Sequence, residues 1–345
     1  MSIVGGFDVH RRQLTFEYLD MATGELRHGR IAPADRQHLR QWLTRFAGHD
    51  GEVEFALEGC TGWRYVVEEL CRAGIGAHLA EPADTAALRG RKRHAKTDKT
   101  DKTDTRHLRV HLMAGDLPEC WIPPEHVLEA RATARLYKDL LDERGAWHQR
   151  IAATLFHQGA PAVGTVAHAQ GRAAVAEVAL SAAGRQAVET GLRQIDRLTT
   201  ELDPLRRQLN LLSRRQPGCR ALRATQFGVG PVTSVAIWAE LGDVRRFANS
   251  ADAVRHTGLD ITVYSSDTKR SAGHLSRQGP ELLRWALYES AKCAARPAAP
   301  DHRYYRTARD RRNAGLATLS VARKLTRRCY HTLRELGEEA LQPAA

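Results

Sequence analysis

The sequence predicts a mixed α/β domain at the amino-terminal end, followed by two regions that are mostly helical. Three observations support this α/β plus α class. Short apolar runs typical of β-strands are concentrated in the first 80 residues. A proline-rich segment then interrupts the pattern at 117–125. Beyond it, leucines spaced by three and four residues indicate long helices.

The order of the predicted strands defines the amino-terminal fold. Three strands come first and are expected to form an antiparallel meander. Helices then alternate with two further strands, which implies parallel strands joined by crossover helices. This is the order of a ribonuclease H-like fold. The predicted strands are 2–10, 13–20, 26–32, 52–59 and 75–80, and the predicted helices are 33–48, 61–74 and 105–115.

Three domains follow from the breaks in pattern. The segment 117–125, LPECWIPPE, contains three prolines and marks the first boundary. We predict a ribonuclease H-like domain over 1–116, a linker and helical coiled-coil region over 117–216, and a mostly helical carboxyl-terminal domain over 217–345.

The central region carries the seam of a coiled coil. After a predicted helix over 126–160, a second helix is predicted over 172–215. Its apolar seam consists of Ile195, Leu198, Leu202, Leu205, Leu209 and Leu212. Pro204 lies within the seam and is expected to kink or break the helix. The seam either pairs within the chain as a helical hairpin or mediates self-association or contact with a partner.

The charge balance favours a polyanionic partner. The chain has 345 residues and a formal net charge of +12, with 52 Lys and Arg against 40 Asp and Glu. None of the six cysteines forms a C-x-x-C pair, which argues against a zinc ribbon. Scattered cysteines and the lack of a membrane-length apolar run predict a cytoplasmic protein with reduced thiols.

Four carboxylates fall where the predicted fold would bring them together. Asp8 lies near the end of the first strand and Glu58 near the end of the fourth. Asp101 and Asp104 are three residues apart, so on a helix they share a face. Clustered carboxylates require divalent cations to neutralise them. Two Mg²⁺ ions would activate the attacking oxygen and stabilise the leaving oxygen of a phosphodiester.

The acidic repeat leaves the choice of aspartates open. Residues 96–104 read KTDKTDKTD, so Asp98 with Asp101 satisfies the spacing as well as Asp101 with Asp104 does. A solvated charged segment is the plain alternative for the whole run.

Two segments of the carboxyl-terminal domain are typical of nucleic-acid chemistry. Gly228 and Gly230 precede a predicted helix, and backbone N–H groups in such a turn can face a phosphate. The polar loop at 260–274 places Ser265 and Ser266 among cations, which would stabilise a serine alkoxide. A helix-joining turn and ordinary loop serines are the alternatives. The cations expected to contact nucleic acid are Lys269, Arg270, Arg277 and Arg284.

Several ordered motifs resemble a known family. The amino-terminal motifs are GFDVH, FALEGCTGW and KTDKTDTRHLR, and the carboxyl-terminal ones are GVGPVT, AELGDVRRF, HTGL, VYSSD and HLSRQGPELLRWAL. Together they resemble DEDD-type insertion-sequence transposases, which are bridge-RNA-guided recombinases. The amino-terminal domain of that family is similar to the RuvC-type Holliday-junction resolvase. The resemblance spans nearly the whole chain, but the middle region resembles the family only in being helical.

The resemblance implies site residues and a cofactor. The acidic quartet that would bind Mg²⁺ maps onto Asp8, Glu58, Asp101 and Asp104. The nucleophilic serine maps onto Ser266, with Ser265 as the alternative. The family serine is usually followed by Gly, whereas Asp267 follows Ser266 here.

The resemblance also implies an activity and partners. The expected function is an RNA-guided site-specific DNA recombinase that forms a phosphoserine intermediate. The expected partners are donor and target DNA, a bridge-type non-coding RNA, and further copies of the chain as a dimer and then a tetramer. Basic segments at 306–313 and 323–328 would contact the phosphates of RNA or DNA. The expected location is the bacterial cytoplasm, in association with the nucleoid. A metal-dependent DNA nuclease or junction resolvase without a covalent intermediate, and a non-catalytic nucleic-acid scaffold, are the alternatives.

Overall fold

The chain forms two compact units, Met1–Ile122 and Pro123–Ala345. The computed structural model describes residues 2–88, 101–161, 163–164, 166–262, 265–266, 269–270 and 273–344, with the side chains of 101–102, 262, 265–266 and 269–270 excepted. No described helix has both the length and the apolar character needed to cross a membrane. The division into three domains stays a prediction.

The first unit is built on a five-stranded mixed sheet. Its strands are β1 (Ile3–Val9), β2 (Leu14–Asp20), β3 (Leu26–Ile31), β4 (Val53–Glu58) and β5 (Gly76–Ala80). Its helices are α1 (Arg36–Leu43), α2 (Trp63–Arg72), α3 (Pro82–Leu88) and α4 (Asp101–Ala114), with a 3₁₀ turn over Thr44–Phe46. The spatial order is β3-β2-β1-β4-β5, in which β1 to β3 are antiparallel and β4 and β5 are parallel to β1. The predicted meander and parallel strands are therefore confirmed, each strand to within one residue.

Alternation along the strands gives this sheet two different faces. On one face the rings of Phe7 and Phe55 stack with centroids 4.8 Å apart, beside Trp42 of α1. Helix α2 also covers this aromatic core. On the other face Val4 packs with Leu108 of α4 in a separate, smaller core. The face that carries α4 is therefore lined by smaller side chains.

A buried carboxylate joins the two helices of the aromatic face. Glu69 on α2 is 1% exposed and accepts hydrogen bonds from Arg36 and Arg40 of α1 and from Arg72. These bonds, that of Arg40 foremost, lower the pKa of Glu69 to about 2. The ionised carboxylate is thus part of the contact between α1 and α2.

The second unit begins with a helical hairpin. Its helices are α5 (Glu125–His157), the short α6 (Ala169–Ala176) and α7 (Ala182–Arg215). Gly191 of α7 lies against Ile151 of α5, and Arg144 donates to Thr199, so α5 and α7 are antiparallel. The buried seam residues of α7 include Ile195, Leu198, Leu202 and Leu209. Of the two interpretations of the heptad pattern, the structure shows the hairpin within one chain.

The helices of this region differ from those predicted. One helix was expected over 172–215, but α6 ends at Ala176 and α7 begins afresh at Ala182, where the Ser181 side chain caps it. Pro204 was expected to kink or break the helix, and it does not break α7, which continues through it. Proline removes one backbone hydrogen bond. Here the ring is exposed, and burial of the opposite face of α7 offsets that loss.

The remaining helices surround a buried one. They are α8 (Pro217–Thr225), α9 (Pro231–Leu241), α10 (Ser250–His256), α11 (Glu281–Ala291), α12 (His302–Arg311) and α13 (Ala314–Leu336), with 3₁₀ turns at Val244–Arg246, Lys292–Ala295 and Gly337–Leu341. Helix α9 is buried from Ser234 to Leu241, and Trp238 Nε1 donates to the Ala340 carbonyl at 2.7 Å. The predicted helical character of this region is confirmed.

A short β-arm projects between α10 and α11. It consists of β6 (Ile261–Thr262), β7 (Ser265–Ser266), β8 (Lys269–Arg270) and β9 (His274–Leu275). Strand β6 pairs with β9, and β7 pairs with β8, both antiparallel. We call residues 260–276 the serine arm.

Candidate active site at the ends of two parallel strands

Asp8 and Glu58 emerge side by side at one edge of the sheet. Strands β1 and β4 are parallel, and their last paired residues are Phe7 and Leu57. The two carboxylates stand at the next position of each strand, and alternation directs both to the face that carries α4. The register thus makes the first and fourth strands neighbours, as the convergence of the two carboxylates requires.

Gly6 brings helix α4 close to these carboxylates. A Cβ atom at Gly6 would lie 2.4 Å from the backbone carbonyl oxygen of Thr105, so only glycine allows this approach. Asp104 immediately precedes Thr105 and is partly buried. The structure thus places Asp8, Glu58 and Asp104 on one face of the first unit.

A buried ion pair holds α4 on the sheet. Arg109 Nε donates to Glu17 Oε1 of β2 at 3.0 Å, and both side chains are only 10% exposed. Glu17 pairs with Gly6 across the antiparallel strands, so the ion pair and the glycine contact lie at the same level of the sheet. Both contacts hold α4 against the sheet.

His10 joins the site and was missed from the sequence. Its Nε2 lies 3.0 Å from Asp8 Oδ2. The Asp8 side chain is 20% exposed and the His10 side chain 52% exposed. Its place two residues after Asp8 in the motif GFDVH is the signal that would have identified it.

The donor chemistry fits a hard divalent cation, although the described side chains do not close a complete metal cage. Carboxylate oxygens are the ligands that Mg²⁺ prefers. Within the described part of the chain, no group of three His, Cys, Asp or Glu side chains is close enough to hold a metal ion. Asp101 begins α4, but its side chain is not described, and Asp98 lies outside the described residues.

The serine arm has a firmly held base. Ser276 N–H donates to the Asp260 carbonyl at 3.1 Å, and the Ser276 hydroxyl also bonds the Asp260 carboxylate. Arg277 adopts a left-handed φ of 53°, and its N–H donates to the Gly258 carbonyl at 3.1 Å. These bonds join the two ends of the arm at its base.

At the tip of the arm only the backbone is described. Ser265 pairs with Arg270, and Ser266 pairs with Lys269. The side chains of these four residues are outside the description, as is all of Asp267. The choice between the two serines therefore stays a prediction.

The two glycines before α9 have packing reasons of their own. Gly228 has a φ of 88°, and a Cβ there would lie 2.4 Å from the Ser290 carbonyl oxygen. Gly230 N–H donates to Thr233 Oγ1 at 2.9 Å. Arg284, another residue predicted to bind nucleic acid, donates to the Gly279 carbonyl at 2.7 Å. The phosphate contacts predicted for these residues stay predictions.

Comparison with known proteins places the chain in a class. A protein-family model for DEDD transposases of the IS110 type matches residues 5–157, and the description of that family is transposase. A second model, described as a transposase of the IS116/IS110/IS902 family, matches residues 220–306. The two matches cover well over half of the chain, and they include the carboxylate site and the serine arm. Both models describe transposases.

The chain belongs to the IS110 family of DEDD transposases. It is also similar to a probable family 20 transposase of Pseudomonas aeruginosa, with 25% identity over 138 residues. That similarity covers 39% of this chain and 40% of the relative, so the chain matches about two fifths of the relative's length.

Proposed function

We propose that this transposase is an RNA-guided, site-specific DNA recombinase that mobilises an insertion sequence, and that its first unit is a ribonuclease H-like domain of the RuvC type. One observation carries the proposal. Asp8 and Glu58 stand at adjacent register positions of parallel strands, on the face where α4 carries Asp104. In an enzyme that acts on DNA, such an acidic edge suits phosphodiester chemistry.

Asp8, Glu58, Asp104 and Asp101 are the residues that would hold the metal. Mg²⁺ supplies charge neutralisation to the carboxylates and to the phosphate when it is bound. The chain's own part is to fix the carboxylates on rigid elements. Gly6 and the pair of Arg109 with Glu17 support this role, because they hold α4 against β1 and β2.

Ser266 is the proposed nucleophile. Its hydroxyl gives up a proton, and its oxygen attacks the phosphorus of a DNA phosphodiester. A phosphoserine ester bond forms while the bond from phosphorus to one deoxyribose oxygen breaks, and that leaving oxygen takes up a proton. Lys269 pairs with Ser266 in the backbone ladder, and a cation beside the serine would stabilise its alkoxide.

The remaining parts of the proposal concern partners. A bridge-type RNA would specify donor and target DNA by base pairing, while the protein contacts backbones. The exposed arginines of α12 support phosphate contacts; they include Arg303, Arg306, Arg309 and Arg311.

We further propose a dimer that assembles into a tetramer, in which the carboxylates of one subunit act together with the serine of another. Activity recovered by mixing inactive Asp8→Ala and Ser266→Ala proteins would support this sharing, and no recovery would count against it.

A covalent adduct is the direct test. The chain is co-expressed with the non-coding ends of its element, incubated with labelled donor and target DNA and Mg²⁺, and resolved on a denaturing gel. We expect a slow, protease-sensitive DNA band that is absent in Ser266→Ala and present in the matched control Ser265→Ala. Asp8→Asn should lower band formation by about a hundredfold or more, because one stabilising group is lost.

The second candidate is a metal-dependent nuclease or junction resolvase. It needs the same carboxylates and no serine. Cleaved DNA without a protein-linked band, at equal rates in Ser265→Ala and Ser266→Ala, would establish it and refute the serine mechanism.

A further inference from the structure

A cavity of about 600 Å³ lies beside the carboxylate edge of the first unit. Its walls come from residues 9–11 after β1, from residues 60–62 between β4 and α2, and from Tyr65 in the first turn of α2. This volume is in the range of pockets that hold small organic ligands. None of the site residues predicted from the sequence is among the described residues that line this cavity.

The cavity and the carboxylates share one boundary. Val9 directly follows Asp8, and Cys60 comes two residues after Glu58. His10 lines the cavity, and its Nε2 is 3.0 Å from Asp8 Oδ2. His10 is therefore the residue that joins the cavity to the carboxylate edge.

The described lining includes an unpartnered hydroxyl and one cation. The Tyr65 hydroxyl oxygen is buried and has no hydrogen-bond partner among the described residues. Burial raises the pKa of Tyr65, so the hydroxyl keeps its proton and is a donor at neutral pH. Buried polar atoms normally have partners, and none of the described residues supplies one for this oxygen. Arg11 is exposed at the rim of the cavity and offers positive charge.

We propose that this cavity receives one unpaired deoxynucleotide of the DNA strand, next to the phosphate that is cut. The base lies against the Tyr65 ring and Val9 and accepts a hydrogen bond from the Tyr65 hydroxyl, and its phosphate contacts Arg11 and His10. The aromatic and aliphatic walls suit the face of a base. A paired base is enclosed by its stack and must leave it to enter such a cavity, so the occupant is unpaired. The proposal rests on the proposed function, because it takes the strand being cut as the ligand.

Photo-crosslinking tests the site without requiring catalysis. The probe is a single-stranded oligonucleotide of the element's end, carrying 5-iododeoxyuridine beside the cleavage position, bound to the full chain without divalent metal. After irradiation and digestion, we expect the crosslinked nucleotide on the peptide that contains Tyr65. Crosslinks found only on peptides outside residues 9–11 and 60–65 would overturn the proposal.

Matched substitutions separate the cavity from general effects. Tyr65→Phe removes only the hydroxyl and should weaken oligonucleotide binding about fivefold, whereas Tyr18→Phe, the same change at a tyrosine in the core of the unit, should not. Arg11→Gln should lower the slope of log affinity against log salt by about 1 and reduce the Tyr65 crosslink. Arg12→Gln, at a neighbouring exposed position outside the lining, should leave the crosslink intact. Equal effects from both members of each pair would refute the assignment.

The two proposals fail in different ways. A chain that crosslinks through Tyr65 but never cuts DNA in Mg²⁺ keeps the nucleotide site and refutes the recombinase. A chain that cuts DNA at an unchanged rate in Tyr65→Phe and Arg11→Gln, and crosslinks elsewhere, refutes the cavity alone.

Discussion

Replacing Gly6 by alanine should disturb the site through a single added carbon. The new Cβ would stand 2.4 Å from the carbonyl oxygen of Thr105, while ordinary contacts begin at 3.4 Å. Helix α4 or strand β1 must therefore move by about 1 Å, because the obstructing atom is backbone and cannot rotate away. Overpacking of this kind costs about 2 kcal/mol of stability. A displacement of this size next to reacting groups costs about a hundredfold in rate.

Two measurements on Gly6→Ala test this reasoning. Urea unfolding gives the loss in stability, and the yield of Mg²⁺-dependent DNA cleavage gives the loss in function. Gly145→Ala is the matched control, since nothing lies within 4 Å of a Cβ added there in the middle of α5. Alanine is the better helix former, so the control should be as stable as the native chain or slightly more stable. A Gly6→Ala protein with native stability and native cleavage would refute the proposed role of the close contact.

Two further predictions concern buried charges of the first unit. Arg109→Met leaves the Glu17 carboxylate buried and unpaired, so it should lower the free energy of unfolding in urea by about 3 kcal/mol. Adding Glu17→Gln to this variant should restore part of that loss. Glu69→Gln should flatten the acid dependence of stability: the Glu69 pKa falls from 4.5 to about 2 on folding, so the contribution is present above about pH 4.5 and lost toward pH 2.

Each of these predictions has a contrary outcome. Arg27→Met breaks an exposed pair with Glu25 and serves as the control for Arg109→Met. Equal unfolding midpoints for the two variants would mean that the buried pair does not hold α4. For Glu69→Gln, a fall in stability between about pH 4.5 and pH 2 as steep as in the native chain would show that another carboxylate is responsible.

The strands of the first unit could be predicted closely from local patterns. Short apolar runs bounded by glycine and polar turns place all five strands, because a half-buried strand needs a period of two and a definite end. Their order then restricts the sheet to few topologies. Helix continuity was harder to predict. Pro204 does not end α7, because burial along α5 outweighs the local preference of one residue.

The sequence by itself determined the element order, the candidate carboxylates Asp8 and Glu58, and the family motifs. Tertiary structure decided which of these residues meet. The adjacency of Asp8 and Glu58 depends on strand register, and the position of Asp104 depends on a contact between Gly6 and Thr105, nearly a hundred residues apart in the chain. His10 and Tyr65 acquire their places beside a cavity in the same way. Local propensity acts over a few residues, whereas a site is assembled by packing between segments that are distant in the sequence. No single motif therefore predicts the geometry of the site.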